Sequence, residues 1–186
     1  MRLRAYQSVG EGDVVVRISY EEARTSGGSE WSLLGEIPTE NYVASDLPWY
    51  EIRSSINKFV VEENVSEYTL WNTSYWFAGL SSNFKEFYGL NNLKIQPAPS
   101  EEKYSSTAHM FEDANLSKLI TPIFGDSLDV SLNVQNVTDL SYMFKGAVFP
   151  SDKSIVNFRN MELGSDVTTF EGIFKNSSAT TIDLSR

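Results

Sequence analysis

Between Asp13 and Tyr20 apolar and polar positions alternate, with Val14, Val16, Ile18 and Tyr20 on one face and Val15, Arg17 and Ser19 on the other. That pattern predicts a half-buried strand. Ser26-Gly27-Gly28-Ser29 reads as a turn, and Trp31 to Ile37 as a partner strand. Pro48 stands ahead of Trp49, Ile52 and Ile56, a spacing of three then four that suits a short helix opened by proline. Phe59-Val60-Val61 reads as a buried strand. Residues 1–69 therefore read as a mixed cap of strands and one helix.

From residue 70 onward the pattern repeats. Four segments end in an apolar pair, Trp76-Phe77, Met110-Phe111, Met143-Phe144 and Ile173-Phe174, with phenylalanine spacings of 34, 33 and 30. Seven positions before each Phe stands Leu70, Tyr104, Val137 or Val167, and four before it Thr73, Thr107, Leu140 or Phe170. Offsets of −7, −4, −1 and 0 lie on one stripe of an α-helix. Ser105, Thr138 and Thr168 are candidate N-caps, Asn72 could serve in the first copy, and Thr168 with Glu171 fits a capping box. Gly79, Asp113, Gly146 and Asn176, two places past each Phe, suit a helix exit. Strand-like runs follow at Phe84 to Leu90, Leu116 to Phe124, Ile155 to Leu163 and Thr180 to Leu184.

Helices this short need neighbours, because nucleation is costly. The expectation is an α/β chain: the mixed cap, then at 70–186 a short solenoid of about four helix–strand units with parallel strands, wound right-handed. The fourth unit, from Val167 to Arg186, is incomplete. Further units after it, or pairing of this end with something, including self-association, would cover it.

Charge and composition narrow the function. The 186 residues carry 25 acidic against 15 basic side chains, a formal net charge of −10, which disfavours nucleic acid as a partner. There is no cysteine, so disulfides and thiolate chemistry drop out, and no run approaches the length of a transmembrane helix. The charged start Met1-Arg2-Leu3-Arg4 is not followed by the apolar run of a secretion leader.

The segment Asn136-Val137-Thr138-Asp139-Leu140-Ser141-Tyr142-Met143-Phe144-Lys145-Gly146-Ala147 closely resembles the repeat of the BspA-like leucine-rich-repeat surface proteins. Leu128-Asp129-Val130-Ser131 and Ile182-Asp183-Leu184-Ser185 resemble that family's strand. Ala5-Tyr6, the strand from Val14, Pro48-Trp49, Tyr75-Trp76-Phe77 and Tyr88 to Leu93 resemble the segment that often precedes such repeats. The units here are longer than the family's usual twenty-odd residues, and three of the four copies are degenerate. The resemblance implies a leucine-rich-repeat-like fold and a bacterial secreted or cell-surface protein used in adhesion, binding host or matrix protein or glycan.

The chemistry-bearing residues point the same way, to a non-catalytic protein. His109 is the only histidine and occupies a column shared with Tyr75, Tyr142 and Gly172, two places before each Phe. On a helix that offset lies away from the buried stripe, so Tyr75, His109 and Tyr142 form a candidate exposed binding column; the alternative is that each tucks against its neighbour. The carboxylate pairs Glu21-Glu22, Glu62-Glu63 and Glu101-Glu102 read as solvated charge. Asp126 with Asp129 could hold a loose calcium in a turn, but no calcium-loop motif is present and no metal or cofactor is expected. Five glycosylation sequons, at Asn64, Asn72, Asn115, Asn136 and Asn176, are weak evidence given the Asn and Ser/Thr content. A stalk without a ligand is the alternative reading, and a glycan- or peptide-acting enzyme is disfavoured because no triad, phosphate loop or paired-carboxylate arrangement is present.

Overall fold

The computed structural model describes residues 1–10, 12–21, 30–100, 104–126, 131–152 and 156–184. Its regular structure is an open five-stranded mixed sheet, in the order β3-β1-β2-β4-β5. The strands are β1 (Arg2–Gly10), β2 (Asp13–Glu21), β3 (Ser32–Glu36), β4 (Ile56–Val61) and β5 (Glu86–Tyr88). β1 pairs antiparallel with both β2 and β3, while β2–β4 and β4–β5 are parallel.

The alternation at 13–20 does form a strand, and Val16 and Ile18 are fully buried. Its opposite face is covered as well. Arg17 lies over the rings of Tyr6 and Trp31 and pairs with Glu62, and Ser19 hydrogen-bonds the Glu62 carboxylate. β1, which the pattern does not announce, is buried on both faces from Leu3 to Tyr6. Arg4 is held there by Glu36 and by the Glu21 carbonyl. A strand covered on both sides carries no alternation to read.

The helix expected after Pro48 is a 3-10 turn at Tyr50–Ile52, following another at Ala44–Asp46. Ser26 to Ser29, Glu22, Glu101-Glu102, Leu128 to Val130 and Ser185 lie outside the described residues.

The helix–strand solenoid, and with it the leucine-rich-repeat architecture and right-handed winding expected at 70–186, is not the architecture. Among the described residues there is no α-helix. The four segments read as helices are tight double turns, here called rungs, at 72–79, 106–113, 139–146 and 169–176. Tyr75, His109, Tyr142 and Gly172 have φ of +64°, +59°, +56° and +58°, and the exit positions Gly79, Asp113, Gly146 and Asn176 have +68°, +55°, +66° and +58°. A left-handed residue every fourth position cannot continue a right-handed helix. The N–H groups go elsewhere too. Those of Thr73, Tyr75, Phe77 and Gly79 donate to the carbonyls of Ser106, Ala108, Met110 and Glu112 in the next rung, not back along their own segment. Of the strand-like runs expected after the rungs, Phe84 to Leu90 holds β5, whereas the later ones form no strand among the described residues: Phe124 makes a single parallel bridge with Val156, Asn115 and Val148 bridge outside those runs, and Phe158–Asn160 is a 3-10 turn.

The rungs stack in parallel on one another and on the sheet. Parallel β4 and β5 require a crossover, and residues 62–85, which include the first rung, supply it. Phe59 of β4 meets Phe77 at 4.9 Å, joining sheet and rungs in one apolar core that runs on to Ile173.

Candidate functional site

Two columns of side chains run through the rungs. The inner one holds Phe77, Phe111, Phe144 and Phe174, whose ring centroids are 5.4, 5.1 and 5.6 Å apart. The last two steps are nearly coplanar stacks, at 5° and 8°. Phe77, Phe111 and Phe144 are completely buried; Phe174 is half-buried. Beside them Trp76, Met110 and Met143 are fully buried and Ile173 nearly so, with the Thr73 and Thr107 hydroxyls directed at the Met110 and Met143 sulfurs.

The outer column is the candidate binding set. Tyr75 stacks on His109 at 4.7 Å and 10°, and His109 on Tyr142 at 5.1 Å and 24°. Gly172 completes the column without a ring, because a Cβ there would stand 2.5 Å from Tyr142 Cε1. Tyr142 is thus covered on one face by His109 and backed on the other by Gly172. All three rings are half-buried. His109 and Tyr142 are thus covered on both faces, and Tyr75 on the one that meets His109.

Fixed charges line the edges of the rings. His109 Nδ1 lies 2.5 Å from Glu112 Oε2, and Lys145 Nζ donates to Glu112 Oε1 at 2.6 Å. The Tyr142 hydroxyl donates to Glu171. Burial works to raise the Glu112 carboxyl, but the hydrogen bonds from Lys145 and His109 outweigh it and hold its pKa below the usual value. The same Glu112 bond raises the Lys145 ammonium, and the Glu171 bond raises the Tyr142 phenol. Tyr75 is raised chiefly by burial.

Of the expected N-caps, Ser105, Thr138 and Thr168 do other work. Ser105 Oγ donates to the Gln96 carbonyl, Thr138 Oγ1 to the Ser105 carbonyl and Thr168 Oγ1 to the Thr138 carbonyl, so they bridge segments. Thr168 and Glu171 form no capping box. The rung side chains that accept an N–H two residues on are Asn72, as expected for the first copy, and Ser106 and Asp139, one place later than expected. Such turns suit these short polar residues.

Asp126 is exposed and accepts a hydrogen bond from Asn160; Asp129 lies outside the described residues. Among the described residues no group of three or more His, Asp or Glu is placed to hold a metal ion. Nor is any helix there long and apolar enough to cross a membrane. The amides of Asn64 and Asn136 donate inward, to Ser19 and to the Ile95 carbonyl.

Sequence reasoning missed a second feature, a groove of about 490 Å³ lined by Phe149, Pro150, Val156, Phe158, Ser178 and Asp183. Phe149 and Phe158 meet edge to face at 5.5 Å, and Arg159 pairs with Asp183 at 2.7 Å. Scattered between residues 149 and 183, these positions give no periodic signal. No family model, curated protein or solved structure matches the chain.

Proposed function

We propose that this protein is a non-catalytic binding module, secreted or displayed on a bacterial surface, that recognises another protein through the flank bearing Tyr75, His109 and Tyr142. The observation that carries the reading is the locked outer column: three stacked rings at fixed spacing, with the Glu112–Lys145 pair beside them. Groups held in place before contact lose little entropy on binding. Aromatic rings are favoured contact residues for the same reason. Sugars are recognised by stacking on open ring faces, and here both faces of His109 and of Tyr142 are occupied by neighbouring rings and Gly172, which leaves one face of Tyr75. Edges and charges suit a protein surface better than a glycan. A net charge of −10 favours a basic or neutral partner. The extracellular setting is supported by the likeness of residues 136–147 to the BspA-like surface proteins.

The test is an array of matrix proteins and glycans, probed with the wild type and with the double variant His109→Phe/Tyr142→Phe. That variant keeps the stack and removes the polar edge. Binding to at least one protein that weakens roughly tenfold in the variant, as for a contact worth ~1.4 kcal/mol, supports the reading. Retention of full binding by the variant, or binding confined to glycans, overturns it.

A further inference from the structure

A second groove, of about 380 Å³, is lined in part by Ser100, Tyr104, Asn136, Thr138, Asp166 and Thr168. None of them belongs to the outer column. Its walls come from three successive segments of the stack, 97–104, 136–138 and 166–168, so it runs along the rungs and not across an end of them. Tyr104 breaks the repeat here. At the same position, seven before each Phe, Leu70 and Val137 are buried, yet Tyr104 is 57% exposed and its ring meets no other ring among the described residues.

Three polar side chains beside it have their donors committed elsewhere. Asn136 Nδ2 donates to the Ile95 carbonyl at 3.0 Å, Thr138 Oγ1 to the Ser105 carbonyl at 3.3 Å and Thr168 Oγ1 to the Thr138 carbonyl at 3.2 Å. A carbonyl only accepts, so these bonds fix what remains: Asn136 Oδ1 and the lone pairs of the two hydroxyls. No described residue donates to any of the three oxygens. Asp166 is exposed and accepts one bond, from Ser165 at 2.9 Å, which leaves its second oxygen unengaged. The groove therefore offers an open ring, one full negative charge and a row of acceptors.

We infer that this groove holds the guanidinium group of an arginine side chain on a polypeptide partner. A guanidinium carries five N–H donors and no acceptor, and it lies flat on an aromatic ring, which is the complement of this lining. A sugar would need donors from the protein as well, since each of its hydroxyl oxygens also accepts. A metal ion would use the carboxylate and leave the ring idle, and among the described residues no group of three acidic or histidine side chains stands here. A carboxylate or phosphate would meet Asp166 and oxygen lone pairs. A lysine ammonium is a compact charge with three donors and no plane to lay on the ring. The net charge of −10 draws a basic segment toward this surface. The outer column takes no part in the groove, so the two readings fail independently.

The probe is the peptide acetyl-Gly-Gly-Arg-Gly-Gly-amide, titrated against the whole protein with backbone amide NMR shifts as the readout. Beside it run the same peptide with citrulline, the neutral urea isostere of arginine, and free spermidine. The expected result is saturable shifts centred on residues 104, 136–138 and 166–168, with the citrulline peptide binding about tenfold more weakly or not at all. Tyr104→Ala and Asp166→Asn, both at exposed positions, should each weaken the arginine peptide about threefold or more. Tyr104→Phe, which keeps the ring, and His109→Phe/Tyr142→Phe should bind it as the wild type does. No saturable binding up to tens of millimolar peptide overturns the inference. So does citrulline binding as well as arginine, an unchanged affinity in Tyr104→Ala, or spermidine binding as tightly as the peptide, which would reveal a diffuse response to charge.

Discussion

Single residues carry much of the strain in this protein, and the glycines show where. Gly89 has φ +72°, and a Cβ there would meet the Val61 carbonyl oxygen at 2.1 Å, a backbone atom that cannot step aside. Gly12 has φ +88° with open space around it. Gly12→Ala should therefore cost only the left-handed penalty, about 1–2 kcal/mol. Gly89→Ala adds displacement of β4 and should cost about 3 kcal/mol or more. Urea midpoints that fall equally for the two would contradict the close approach of Gly89 to β4. Glu112 gives a pH signature. Its pKa is depressed on folding, so the stability it contributes is complete above its unfolded value and is lost as pH falls through the folded one. Melting temperature should thus decline as pH drops below about 4.5, the ordinary carboxylate value for this group. Glu112→Gln, compared at the same pH values, should make that decline shallower; an unchanged slope would show that the Lys145 and His109 bonds do not form.

The rung is the element that explains what could be read from the chain and what could not. Equivalence of the four phenylalanines was legible, because each must stack on the next and so recurs at spacings of 30 to 34. Left-handed exits were half legible, since Gly79, Gly146 and Asn176 are residue types that take positive φ easily. The helix was the wrong inference. Offsets of −7, −4, −1 and 0 also describe a double turn that reverses hand at −2 and +2, and the hydrophobic pattern does not report hand. The discriminating sign was Gly172, standing where the other copies have Tyr75, His109 and Tyr142. Burial now grades the column. Phe111→Ala, in a fully buried ring between two others, should cost about 3–5 kcal/mol. Phe174→Ala, half-buried with one stacked partner, should cost less than half as much. Equal losses in chemical denaturation would mean that the fourth rung is covered in solution.

Across the whole molecule the sheet and the rungs depend on one another through the first rung. Trp49 closes that rung with its indole N–H on the Trp76 carbonyl and its ring 5.6 Å from Phe59 and 6.0 Å from Trp76. Tyr42, whose phenol pKa burial drives strongly upward, both accepts from Trp76 Nε1 at 3.0 Å and donates to Asn72. Tyr42→Phe removes only an oxygen, yet it strands a buried indole N–H and should cost about 1–3 kcal/mol. That loss should be felt far along the chain, because one core joins β4 to the rungs and the hydrogen bonds between rungs transmit any loosening of the first rung to the next. Protection from hydrogen exchange should accordingly be graded: highest for Thr73, Phe77 and Phe111, which are held between rungs, and lowest for Phe170 and Gly172, whose N–H groups find no acceptor among the described residues. In Tyr42→Phe the decrease should appear at Thr107 and Phe111 as well as at Thr73. A decrease confined to the N-terminal sheet would mean that the rungs hold themselves up, and that the sheet is a neighbour and not their cap.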